Sequence, residues 1–231
     1  MFAGHVGVAL AIGAAERRVN VGVFVAAALL LDLVLWLLVL VGVEAVALPA
    51  DFATTHQPEF VFPYSHGLLA SVLWSAIAGA VALVACSDRS TPRWRVAALV
   101  AAAVFSHWLL DALVHRPELP LAGAASPRVG LSLWDHMAAA LGIEALIVAA
   151  GLGLFLTGGG LSRRKSVALA ALTFVILTLT AAGMTIAPAP PSALAMAASS
   201  LITVAVVCGL YCWLGNRPGV GRAASFDRRE P

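Results

Sequence analysis

The feature that most constrains this chain is a succession of apolar runs, each about as long as a bilayer is thick. A helix needs about 20 mostly apolar residues to cross a hydrocarbon core ~30 Å thick at ~1.5 Å per residue. Runs of this kind occupy residues 21–43, 66–86, 96–114, 133–157, 167–187 and 193–214. A shorter segment, 2–15, is rich in Gly and Ala, and either spans with local thinning or re-enters and packs against the others. Gly4, Ala11 and Gly13 allow its backbone to approach neighbours closely. The expected fold is an all-α polytopic transmembrane bundle of six to seven membrane segments.

Composition excludes the alternative of a soluble domain. Of 231 residues, 61% are hydrophobic and 11% charged, against roughly 25% charged in soluble domains. The net charge of +2 is too small to point to nucleic acid. The segment from Met1 to Ala15 has no basic leader, and Glu16, Arg17 and Arg18 follow it, so a mature chain beginning at Met1 is expected. Cys86, Cys208 and Cys212 sit in or beside apolar runs and read as packing residues. The one-turn spacing of the last two leaves a redox or metal pair as the alternative.

Charge sorts the connections. Arg17-Arg18, the stretch 89–95, Arg163-Arg164-Lys165 and the tail from Arg217 fall on one side, while 44–65, 115–132 and 188–192 hold only Arg116 and Arg128. By the positive-inside rule the basic loops and the C-terminus are cytoplasmic, as in a bacterial-type inner or plasma membrane. The tail, 215–231, mixes Gly, Pro, Ser, Arg and Asp without apolar periodicity and is expected to be disordered and solvated. No internal repeat of the kind seen in inverted transporters is evident.

Ionisable side chains inside a membrane are expensive, and their default reading is functional. This chain places Asp32, Asp111 and Glu144 within its runs, together with His5 and His107; His66, His115, Asp135 and His136 stand at the ends of runs. With the orientation above, His107 and Asp111 lie one to two turns inward from His115. Asp32 and Glu144 fall near mid-membrane, roughly 15 Å below the outer ends of their helices. Five segments thus send metal-binding residue types towards one level in the outer half. Three carboxylates in a low dielectric call for divalent cations or for protons. A mixed His and carboxylate set suits zinc, manganese or iron.

The sharpest local pattern is Ser106-His107-Trp108-Leu109-Leu110-Asp111, followed by His115. Positions four apart share a helix face, so His107 and Asp111 can hold one ion. His115 lies about 12 Å from His107 along the axis and suits a second ion, the substrate or the mouth of the site. Each residue also has a plainer reading: His5 as a packed helix-end histidine, Asp32 or Glu144 as an interhelical tether, Ser65 before His66 as an N-cap, and Asp135 with His136 as interfacial helix-start residues. Trp74, Trp94, Trp108, Trp134 and Trp213 read as belt or packing aromatics.

The order Gly4-His5, Asp32, Pro63-Tyr64-Ser65-His66, then Ser106-His107-x-x-x-Asp111-x-x-x-His115-Arg116-Pro117-x-Leu119-Pro120 resembles the YdjM-like family of membrane-bound, metal-dependent hydrolases. The resemblance covers roughly residues 1–156. It implies a hydrolase-like core over 1–160 with two additional helices over 161–214. It also implies a distant likeness to zinc-dependent phospholipase C and the single-strand-specific nucleases. Carried over residue by residue, it puts His5, Asp32, His66, His107, Asp111, His115 and Glu144 in the metal site, zinc first among the ions. The soluble relatives carry Glu four residues after a late His; here Ala140 follows His136 by four and Glu144 by eight, which leaves His136 in doubt.

The function the resemblance implies is metal-dependent hydrolysis of a phosphoester or lipid-like substrate at the outer half of the membrane, with Asp32 or Glu144 as general base. Its partners are the bilayer and a phospholipid or amphipathic ester, with no nucleic acid; oligomeric state is left open. The competing readings are an ion-coupled transporter, with the acids as relays, and a non-enzymatic scaffold, with the same groups as interhelical hydrogen bonds.

Overall fold

Small polar residues and proline set where the helices begin. Asn20 accepts from Gly22 N at 2.9 Å, Ser192 from Ala195 N, and Ser162 from Lys165 N, each occupying an otherwise orphaned first-turn donor. Between such signals the computed structural model describes residues 1–86 and 91–215. The tail from residue 216 and Arg89 lie outside the described residues. In chain order the elements are α1 (Phe2–Ala15), α2 (Val21–Ala28), α3 (Leu30–Leu40), β1 (Ala45–Ala47), α4 (Phe52–Thr55), β2 (Glu59–Val61), α5 (Leu68–Ala85) and α6 (Arg93–Val114). There follow β3 (Leu119–Pro120), β4 (Arg128–Val129), a 3-10 turn (Leu133–His136), α7 (Met137–Thr157), α8 (Arg163–Thr185) and α9 (Ala193–Leu214).

The protein is an all-α bundle carrying two short antiparallel hairpins, β1–β2 and β3–β4, in the connections at one end. Among the described residues, five helices are long and apolar enough to cross a membrane, and six if α2 and α3 count together. Two sequence expectations need correcting. The run 21–43 is not one helix; it bends by 48° at the break around Leu29. The run from residue 66 becomes helical only at Leu68, because Pro63 to Gly67 form a turn and Gly67 takes the N-cap.

A short apolar helix sits at the centre. α1 packs against α2, α6, α7 and α8, and Val6, Ala9 and Leu10 are fully buried. Its approach to α7 depends on glycine: a Cβ on Gly151 would run into the Gly7 carbonyl, and one on Gly7 would meet Ile147 backbone at 2.9 Å. Arginines close its far end, where Arg17 Nε donates to Ala14 O and Arg95 donates to Ala15 O. α9 covers α2 and α3, tied by Asn20 Nδ2 donating to Cys212 O at 2.8 Å. Outward faces carry Leu73, Val81, Phe174, Ile202 and other large apolar side chains, the surface expected against hydrocarbon.

Candidate metal centre

Six of the seven predicted ligands come together around Asp111. Helical spacing brings His107 and Asp111 to one face of α6, with His107 Nε2 3.1 Å from Asp111 Oδ2. The turn before α5 adds His66, whose Nε2 lies 3.4 Å from the same oxygen, and α1 adds His5, whose Nε2 lies 3.2 Å from Asp111 Oδ1. Asp32, in the first turn of α3 just past the bend, sets Oδ1 3.7 Å from His107 Nε2 and 3.8 Å from His66 Nε2. His115, at the C-cap of α6, brings Nε2 to 4.0 Å from Asp111 Oδ2. Two groups, His5/His107/Asp111 and Asp32/His66/His107, each offer donor atoms within 4.8 Å of one another and could hold a metal ion.

The partners of the imidazole rings decide how they face this cluster. His107 Nδ1 lies 2.6 Å from Ala28 O, a carbonyl that can only accept, so Nδ1 carries the proton. His115 Nδ1 lies 2.5 Å from Glu118 Oε1, whose other oxygen accepts from Phe60 N. His66 Nδ1 meets Ser65 Oγ at 2.9 Å, while Ser65 gives its single proton to Glu44 Oε2 at 2.6 Å. Ser65 can therefore only accept from His66. Three rings have their Nδ1 side held by an acceptor and turn an Nε2 lone pair inward, the arrangement by which outer partners orient metal-binding histidines.

The inner faces are left with opposing lone pairs. Nε2 of His66 and Nε2 of His107 stand 3.1 Å apart, beside two carboxylates. Asp111 Oδ1 and His5 Nδ1 are buried without a hydrogen-bond partner, and the His5 ring stacks on His107 at 3.7 Å. The amino group of Met1 approaches Asp111 Oδ1 at 3.5 Å. This donor set, with an orphaned buried carboxylate oxygen and facing imidazole nitrogens, fits a divalent cation.

The remaining predicted residues have other partners. Glu144 is buried, and its Oε1 accepts from Gly4 N at 2.9 Å, which ties α7 to the start of α1. It belongs to neither metal-holding group but lines the same cavity. Asp135 pairs with Arg116 at 2.9 Å, and His136 is exposed. Ser65 is not an N-cap; it joins Glu44 to His66. Glu44, Glu118 and His56 are the contributors that sequence reading passed over. Glu44 accepts from Tyr64 N and Ser65 N as well as Ser65 Oγ, and burial pushes its carboxyl above the ordinary value against the pull of those hydrogen bonds.

The cluster floors one end of a cavity of about 520 Å³. Phe60 from β2, Phe62 and His56 from the loops, and Trp134 from the 3-10 turn wall the end near His115, whose ring lies 4.2 Å from that of Trp134. The other wall comes from α8 and α9. Comparison with known protein families, curated proteins and solved structures finds no match to this chain.

Proposed function

We propose that the protein is an integral membrane, metal-dependent hydrolase acting on a phosphoester or amphipathic ester. The observation that carries this reading is the convergence of three Nδ1-anchored histidines on Asp111, two of which, His66 and His107, set their Nε2 atoms against each other beside Asp32 as well. A purely structural hydrogen-bond network would not direct acceptor against acceptor at 3.1 Å. His5, His66, His107, Asp32 and Asp111 are the proposed ligands, with His115 at the mouth. The mixed nitrogen and oxygen donors favour zinc, with manganese or iron as alternatives. When bound, such an ion supplies Lewis acidity towards a phosphoryl or carbonyl oxygen.

The chain's own groups supply the rest. Asp32 is the most open carboxylate of the cluster, 18% exposed at its side chain against 4% for Asp111. Its position facing the cavity suits it to take the proton of an attacking water. Glu144 keeps the start of α1, and with it His5, beside the cavity. Phe60, Phe62 and Trp134 exclude bulk water from one side. The family resemblance over residues 1–156 points to the same chemistry. By the positive-inside rule, the arginine-rich connections support a cytoplasmic C-terminus and a cluster towards the extracytoplasmic face. An ion relay needs polar groups leading to both faces, so the one-sided cluster favours the hydrolase.

The test is elemental analysis of the detergent-purified protein beside His107→Ala and Asp111→Ala, followed by a phosphoester screen. Near-stoichiometric zinc, manganese or iron in the wild type, lost in both variants, is expected. A folded wild type without metal after growth in ample metal overturns the reading.

A further inference from the structure

The final two helices do more than add membrane segments. Between them runs the long arm of the cavity that begins at the His–Asp cluster. Ile176, Val204 and Val207 form its buried floor, and Met184 and Met196 stand nearer the connection from α8 to α9. The two helices are consecutive yet touch only sparsely, in contrast to α5 and α6. They are fastened one turn beyond that floor. There Thr173 Oγ1 donates to Leu169 O, so Tyr211 O–H donates to Thr173 Oγ1, at 2.6 Å.

The opposite side of the seam is open. Leu179 lines the cavity yet is 65% exposed, and Gly183, Ser199 and Thr203 form the exposed rim beside it. This surface also carries Phe174, Ile202 and Val206, on helices apolar enough to lie in hydrocarbon. Ser199 and Thr203 donate to Met196 O and Ser199 O, so their hydroxyls are satisfied within α9 and require nothing from a ligand. None of the lining residues is Lys or Arg, so the arm offers no cation to a water-soluble anion.

We propose that the α8–α9 seam binds the acyl chain of a membrane lipid, which enters sideways from the bilayer and sets its ester or phosphoester against the His–Asp cluster. The placement of the ester rests on the hydrolase reading; the acyl-chain site rests on the seam alone. A cavity of about 520 Å³, polar at one end and apolar along the rest, matches an amphiphile and falls within the ~300–1,000 Å³ of ordinary ligand sites.

The experiment places the full-length protein in lipid nanodiscs containing a phospholipid with a photoreactive diazirine on its acyl chain, and maps the labelled peptides. Label concentrated on α8 near Leu179 and Gly183 and on α9 near Met196 to Thr203 is expected. Gly183→Trp and, separately, Ser199→Trp fill the seam and should lose that label, while label on outward residues of α5 such as Leu73 and Val81 persists. A Cβ at Gly183 has no atom within 4 Å, so the substitution starts from open space, and thermal melts confirm that each variant is folded. Equal label on α5 and the seam, or seam label unchanged in both folded variants, overturns the proposal. Asp111→Asn separates the two claims: seam label retained without metal supports the acyl site independently. Seam label in a wild type that binds no metal would sink the hydrolase reading and leave the lipid site standing. Metal without seam label would do the reverse.

Discussion

At the scale of single residues, the functional weight lies as much in what holds the histidines as in the histidines themselves. Ser65 has one proton and gives it to Glu44, so it fixes which nitrogen of His66 faces the cluster. Ser65→Ala removes that acceptor; metal affinity should fall about ten- to a hundredfold with the helical content intact, as measured by competition with a chromophoric chelator. Glu118→Gln should act likewise through His115, with the smaller effect expected of a ligand at the rim. Glu44 also predicts a pH effect. Burial holds its folded-state carboxyl above the unfolded value, so the folded chain retains a proton that the unfolded chain releases. Stability of the metal-free protein should therefore fall as pH rises through that window, and Glu44→Gln should flatten this part of the profile in thermal melts. The His and Asp residues of the cluster were legible in the sequence because four-residue spacing on one helix and ionisable groups inside apolar runs are local signals. Their supports were not, because Glu44, Ser65 and Glu118 lie in loops, where sequence order does not reveal what meets in space.

At the scale of elements, close approach between α1 and α7 fixes where His5 and Glu144 stand. Gly151 accepts no side chain because the Gly7 carbonyl occupies the position of its Cβ. Gly151→Leu should force the helices apart, destabilise the protein by about 2 kcal/mol or more, and release metal although no ligand has changed; thermal unfolding and elemental analysis on one preparation read both. The helical runs could be read from hydropathy, and the small residues of α1 marked it as a close-packing segment. The break at Leu29 could not, since 21–43 contains no proline and its one early glycine, Gly22, lies a full turn and more before it. The bend is a tertiary effect, made acceptable by partners that arrive from α6. The two short hairpins were likewise invisible, being two or three residues long and defined by pairing rather than by pattern.

At the scale of the whole molecule, the cluster joins α1, α3, α6 and the turn before α5, so an ion there would act on the entire bundle. Stripping metal with a chelator should lower the melting temperature, and restoring zinc should raise stability by about 2.7 kcal/mol at a hundred times the dissociation constant. The sequence located the last two helices, although α8 starts one turn earlier, at Arg163, than the run 167–187; that they wall the cavity was not legible, because nothing in their composition distinguishes a wall from lipid-facing cover. The carbonyl of Ala28, at the bend between α2 and α3, is taken by His107 Nδ1. Inside a bilayer an interrupted helix must find its partners within the protein. A histidine whose far nitrogen faces the cluster supplies one of them here. Straightening that helix would reclaim the carbonyl and set the ring free to turn, while emptying position 107 would strand the carbonyl unpaired in the protein interior. The crease in the backbone and the aim of the imidazole are thus a single mechanical part, inherited together or lost together.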